Sequence, residues 1–127
     1  LLISAPFRAL DSVIAQTSSA TSLLVKWSRL PEVYFQGEPL GYIITFYPCG
    51  RESDVNIVKV NFTSNTTTLT NLTLYTIYVI NVSAVSSGGV GPVNKVKART
   101  DAEGKEVTLI ALVSWSCVRN QTRLFSE

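Results

Sequence analysis

The chain has 127 residues, of which 46% are hydrophobic and 16% charged, and its formal net charge is +2. This length accommodates one domain of about 100 residues with an extension, and so small a net charge gives no reason to expect a nucleic-acid partner. The sequence contains no histidine, so it lacks the commonest general base and the commonest metal ligand. We therefore expect a non-enzymatic protein with no catalytic, cofactor or metal site.

Short runs of alternating apolar residues, separated by turns rich in Gly, Pro, Asn and Ser, predict an all-β chain of seven strands. The first strand is expected within residues 7–15, where the periodicity is vague. In chain order the other six are expected at 22–28, at 40–47, around 58–62, in a threonine-rich segment ending at Leu69 and Leu72, at 78–84 and at 93–100. The glycine-rich segment 86–92 is expected to be the last hairpin loop.

The sixth strand gives the clearest prediction of a buried face. Residues two apart on a strand share a face, so the alternating apolar series that begins at Tyr78 should face the core. Val79, Asn81 and Ser83 should then face solvent. Leu72 lies six residues before Tyr78, and this spacing is typical of a corner where the tyrosine hydroxyl returns to upstream backbone.

Trp27, Gly41-Tyr42, Leu72, Tyr78 and the hairpin glycines occur in an order that resembles a fibronectin type III domain over residues 5–100. The resemblance implies a seven-stranded, immunoglobulin-like β-sandwich with Trp27, Tyr42, Leu72 and Tyr78 in its core. The family usually has proline two residues after the corner leucine, whereas this chain has Leu74. We therefore expect a looser corner in the same fold.

The residues outside 5–100 do not follow the strand pattern. Residues 1–4 are interpreted as a linker or the end of a preceding segment, although the end of a signal peptide is an alternative. Residues 101–127 are interpreted as a linker and a poorly ordered tail. The apolar stretch 107–118 is shorter than the roughly 20 residues of a membrane-spanning helix, so no membrane span is expected. It could begin a following module, be a non-native end, or pack against an edge of the sandwich.

Five Asn-x-Ser/Thr motifs suggest N-linked glycosylation and an extracellular or cell-surface location. Their asparagines are Asn61, Asn65, Asn71, Asn81 and Asn120, and the first four are expected at positions that do not face the core. The alternative is that a threonine-rich β protein contains such motifs incidentally.

Two groups of side chains are candidate contacts. Tyr34 and Phe35 lie on the long loop before the third strand, where they could form a contact patch or cap the sandwich. Lys95, Lys97 and Arg99 alternate along the last strand and should share a face. This stripe could bind an acidic partner or a sulfated glycan, or it could discourage pairing at a sheet edge.

The chain has two cysteines, Cys49 in a turn and Cys117 in the tail. A bridge needs their Cα atoms within about 7 Å, and the family resemblance implies no conserved bridge. Free or cross-module thiols are therefore favoured over a 49–117 disulfide.

The resemblance implies a non-enzymatic extracellular spacer and protein-binding module of a cell-surface adhesion or receptor protein. Its partners would be other proteins or neighbouring modules. Two alternatives stay open: an ectodomain module of a receptor enzyme such as a receptor tyrosine phosphatase, and an intracellular muscle-type structural module.

Overall fold

The computed structural model describes residues 5–6 and 8–101, which form a sandwich of two antiparallel sheets. One sheet has the order β1-β2-β5, and the other has the order β4-β3-β6, with β7 and β8 both pairing with β6. The strands are β1 (Ile14–Ser19), β2 (Ser22–Lys26), β3 (Pro39–Pro48), β4 (Asn56–Asn61), β5 (Thr66–Leu69), β6 (Ile77–Ser86), β7 (Gly89–Val90) and β8 (Asn94–Arg99). Short 3-10 helices lie at Glu32–Phe35 and Glu52–Asp54.

The predicted all-β sandwich is confirmed, with eight strands in the described part of the chain instead of seven. The additional strand is β7, which lies inside the expected glycine-rich loop and pairs Val90 with Val85. The first strand also differs from the prediction, because it begins at Ile14. Ser12 has a φ of 56°, and this left-handed residue interrupts any extended strand before it.

Aromatic side chains from both sheets meet in the core. The rings of Trp27 and Tyr42 have centroids 5.3 Å apart, and both side chains are buried. The Tyr42 hydroxyl accepts a 3.1 Å hydrogen bond from the backbone N–H of Leu30, so the ring also anchors the loop that follows β2. Burial raises the pKa of Tyr42, while the hydrogen bond from Leu30 acts in the opposite direction.

The predicted core face of β6 is buried, but the opposite face differs from the prediction. Val79 and Ser83 were expected in solvent, and they are only 4% and 3% exposed. β6 is a central strand, so Val79 has a cross-strand neighbour on each side, and Ser83 lies beside Ile43 of β3. Tyr47 and Lys97, for example, are the cross-strand neighbours of Val79.

The corner before β6 is held by hydrogen bonds from two side chains. The Tyr78 hydroxyl accepts a 2.9 Å bond from the backbone N–H of Thr73, and Leu72 is buried beneath the turn. The Thr100 hydroxyl donates to the Thr73 carbonyl at 2.6 Å and accepts from the Thr76 N–H at 2.9 Å. Thr100 thus ties the corner to the end of β8.

We expect Tyr78→Phe to lower the free energy of unfolding by about 1 to 3 kcal/mol, because the partly buried Thr73 N–H loses its acceptor. Urea denaturation followed by circular dichroism measures the change. Tyr47→Phe is the matched control, since Tyr47 is a half-buried tyrosine on the outer face of β3. Equal denaturation midpoints for the two variants would contradict a stabilising role for the corner hydrogen bond.

Candidate functional site

The chain enters the sandwich at one end and leaves it at the other. Pro6 packs against the β6–β8 connection, since a Cβ added to Gly91 would lie 2.8 Å from the Pro6 Cβ. Asp101 lies at the opposite end, where its N–H donates to Ser19 and its carbonyl accepts from Tyr75 at 3.0 Å. We call these the entry end and the exit end. The ten residues of β3 span about 33 Å between them.

The entry end carries exposed apolar side chains. Val33 in the first 3-10 helix is 74% exposed, Leu40 at the start of β3 is 51% exposed, and Val90 in β7 is 54% exposed. The segment before β3 and the turn before β7 are joined, because the Ser87 N–H donates to the Glu38 carbonyl and the Glu38 N–H donates to the Ser87 Oγ. We call Val33, Leu40 and Val90 the entry patch. Exposed apolar side chains at one end of a domain can serve as an interaction surface when a partner covers them together.

The structure separates the two aromatic residues that the sequence placed together on this loop. Phe35 is fully buried, with its ring 6.1 Å from the Tyr42 ring in an edge-on arrangement. The prediction of a contact role is therefore wrong for Phe35, which caps the sandwich from inside. Tyr34 is half-buried, and the Arg8 guanidinium lies 4.2 Å from its ring centroid. Val33, which sequence reasoning missed, is the exposed side chain of this helix.

The three basic residues of β8 share one side of the strand, as expected, but they differ in exposure. Lys95 and Lys97 are exposed, whereas Arg99 is half-buried with its guanidinium 4.7 Å from the Tyr75 ring centroid. The Arg99 carbonyl accepts a 2.7 Å bond from the Thr17 hydroxyl of β1. The stripe thus lies at the edge where the two sheets meet, and its geometry gives no support for a sulfated-glycan ligand.

The candidate glycosylation residues fall into two groups. Asn61, Asn65 and Asn71 are exposed. Asn81 is half-buried on the central strand β6, where its Nδ2 donates to the Thr45 hydroxyl at 3.3 Å and its Oδ1 is buried. Asn120 lies outside the described residues.

Cys49 is disulfide-bonded, so the interpretation as a free thiol is wrong for this residue. The other cysteine, Cys117, lies outside the described residues. Residues 5–6 and 8–101 contain no group of three or more side chains suited to hold a metal ion. The same part of the chain has no helix long and apolar enough to span a membrane.

Comparisons with known proteins agree with this architecture. The crystal structure of the chicken CNTN1 FN1-FN3 domains is 28% identical with a TM-score of 0.69, and the match covers 76% of this chain and 33% of that one. This chain therefore spans about a third of that structure. The fn3 domain of human contactin 1 is 26% identical with a TM-score of 0.68, covering 80% of this chain and 87% of that one.

A third solved structure, the third fibronectin III domain of the human KIAA0343 protein, has a TM-score of 0.71 at 22% identity and shows the same fold. That match covers 81% of this chain and 88% of the other. No curated protein sequence matches the chain. The family model of the fibronectin type III domain matches residues 4–100. The chain therefore belongs to the fibronectin type III family.

Proposed function

We propose that this chain is a non-enzymatic extracellular module that acts as a spacer and protein-binding unit in a cell-surface adhesion or receptor protein. The observation that carries this proposal is the entry of the chain near Pro6 and its exit near Asp101, at opposite ends of the sandwich. A domain with this geometry adds its full length to a row of modules. The chicken CNTN1 structure, which contains FN1 to FN3 in one chain, is an example of such a row.

The module itself comprises residues 5–100 in this proposal, with residues 1–4 as a linker or preceding segment and residues 101–127 as a linker and tail. The match of the family model to residues 4–100 supports this division. Domains of this family are typically structural and non-catalytic. The absence of histidine from the whole chain supports a binding role over a catalytic one.

Binding is proposed to involve the entry patch. Exposed apolar side chains at the core of an interface lose contact with water when a partner covers them, and this burial favours association. The patch is held on braced loops, so little conformational entropy would be lost on binding. Its position at the entry end suits contact with either a preceding module or a separate protein.

The cellular location is tested by staining intact cells that produce the natural parent protein with an antibody against this domain. We expect staining without permeabilisation. Staining that requires permeabilised cells would overturn the extracellular proposal and favour the intracellular structural alternative. The coding sequence that flanks this segment in the gene shows whether a catalytic domain, such as a phosphatase, follows in the same polypeptide.

The entry patch is tested by measuring how tightly multimers of the domain bind to cells from the source tissue. We expect the double variant Val33→Asp, Leu40→Asp to weaken cell binding at least about tenfold, which corresponds to roughly 1.4 kcal/mol. Leu74→Asp is the matched control, because Leu74 is an exposed apolar residue at the exit end. All variants should keep the wild-type denaturation midpoint. Equal binding by the double variant and wild type would contradict a role for the patch.

A further inference from the structure

The two sides of the sandwich are closed to different extents. On one side β1 and β8 approach each other, and the Thr17 hydroxyl bonds to the Arg99 carbonyl there. On the other side lie β4 and β5, which are the edge strands of different sheets. Among the described residues no backbone hydrogen bond joins β4 to β5. We call the side formed by β4 and β5 the open edge.

The open edge has features of a surface that pairs with another chain. An edge strand presents unpaired N–H and C=O groups that can template a further strand, and apolar side chains increase the tendency to associate. Ile57 in β4 is 57% exposed, and Val55 just before the strand is 47% exposed. Lys59 supplies one charge on the same face as Ile57. The protein chain alone therefore protects this edge weakly.

Two glycosylation motifs lie on the connection between the two edge strands. Asn61 is the last residue of β4, and Asn65 immediately precedes β5. Asn61 shares the outward face of β4 with Lys59 and Ile57, and Ile57 is about 13 Å away along the strand. A glycan on Asn61 would therefore extend from the face that carries the exposed isoleucine.

The side chain of Asn61 is arranged so that its amide nitrogen is available. Its Oδ1 accepts two hydrogen bonds from Thr63, one from the backbone N–H at 2.8 Å and one from the hydroxyl at 2.9 Å. These bonds engage the exposed side chain through its oxygen, and among the described residues no hydrogen bond engages its nitrogen. Asn65 is also exposed, and only its backbone is used in anchoring, through a 3.0 Å bond from the Trp27 N–H. Asn81, by contrast, uses its nitrogen to bond Thr45.

We propose that Asn61 and Asn65 carry N-linked glycans in the folded protein, and that these glycans shield the open edge from pairing with a second chain. The inference rests on the extracellular location proposed above. The donor would be an oligosaccharide on a lipid pyrophosphate. The Asn Nδ2 forms a bond to the sugar C1, the bond from C1 to the phosphate oxygen breaks, the lipid pyrophosphate leaves, and one amide proton passes to a base of the transferase. A bulky, hydrated glycan at each site would hinder the approach of another strand.

Site occupancy is tested by secreting the full chain from mammalian cells behind an added signal peptide, followed by glycopeptide mass spectrometry. We expect glycans on Asn61 and Asn65, and one fewer glycan in each of the variants Asn61→Gln and Asn65→Gln. Asn81→Gln should leave the glycan mass unchanged. An unmodified Asn61 or Asn65 in the folded, secreted protein overturns the assignment of that residue. Because the added signal imposes secretion, this result does not depend on the natural location of the parent protein.

Shielding is tested by sedimentation of the double variant Asn61→Gln, Asn65→Gln. We expect it to form dimers and larger species at concentrations where the wild type is monomeric. Asn71→Gln, which removes the motif at the exit end, should stay monomeric. Adding Ile57→Lys to the double variant should restore the monomer, because a charge on an edge strand opposes pairing. A monomeric double variant, or association that Ile57→Lys does not reverse, overturns the shielding role.

The double variant also loses the hydrogen bonds that Asn61 accepts from Thr63. Association of this variant could therefore result from a folding defect, and a comparison that keeps both asparagines is needed. Wild-type protein trimmed by an endoglycosidase to one sugar per site retains both asparagines and provides the same comparison. We expect this trimmed protein to associate as the double variant does. Trimmed protein that stays monomeric would also overturn the shielding role.

Discussion

Replacing Trp27 with alanine is expected to lower the free energy of unfolding by about 3 to 5 kcal/mol. The indole is 3% exposed and packs against Tyr42 at the centre of the sandwich. Its removal leaves a cavity between two sheets whose hydrogen-bonded ladders limit how far the core can collapse. Since domains of this size are stable by about 5 to 15 kcal/mol, the variant should be marginally folded.

Urea denaturation and near-ultraviolet circular dichroism measure this loss. Lys26→Ala, at the adjacent exposed position of β2, should change stability by no more than about 0.5 kcal/mol. Trp27→Phe should cost much less than Trp27→Ala, because the buried Trp27 Nε1 makes no hydrogen bond that phenylalanine would lose. A folded Trp27→Ala protein with the wild-type midpoint would contradict the central role of this ring.

The core could be predicted from local sequence because apolar residues recur at every second position in its strands. Trp27, Tyr42 and Tyr78 each belong to a run in which alternate residues are apolar, and each is buried. The Tyr78 corner was also predictable, since it depends on a leucine and a tyrosine at a fixed spacing within one segment. Such features require no knowledge of which strands become neighbours.

The errors concern properties that only the assembled sheets determine. Val79 is buried on a strand that acquires a neighbour on each side, and a single strand's pattern does not show this. Phe35 is buried because a short 3-10 helix turns its ring inward beneath Tyr42. Adjacent aromatic residues in a polar loop carry no periodic signal that separates the buried ring from the exposed one.

For the candidate surfaces, too, the motifs could be read from the sequence, whereas their neighbours in space could not. The glycosylation motifs are visible in the sequence, but their surroundings depend on the fold. Asn81 is engaged by Thr45 of the neighbouring strand, whereas Asn61 is engaged by Thr63 of its own motif. Likewise, Val33 and Leu40 lie at the same end of the sandwich because the segment before β3 is hydrogen-bonded to the segment after β6 there. Sequence spacing alone would not have grouped them.

The second large effect is expected for Gly41→Ala, which should lower the free energy of unfolding by about 3 kcal/mol, the upper end of the usual cost of overpacking. Gly41 is buried in β3, next to an irregularity in its pairing with β6, and it faces Asn61 across the pairing with β4. A Cβ at this position would lie 2.0 Å from the carbonyl oxygen of Val60. A backbone oxygen cannot rotate away as a flexible side chain can, so β3 and β4 would have to separate.

Urea denaturation measures the cost of Gly41→Ala, and amide exchange locates it. Gly88→Ala is the matched control, because Gly88 is exposed in a turn and does not have a positive φ. We expect the control to change stability by no more than about 0.5 kcal/mol. In Gly41→Ala, exchange should accelerate most in β4, since that edge strand pairs only with β3. Wild-type stability in Gly41→Ala would mean that β3 and β4 do not approach so closely, and the position of Asn61 beside the open edge would then need revision.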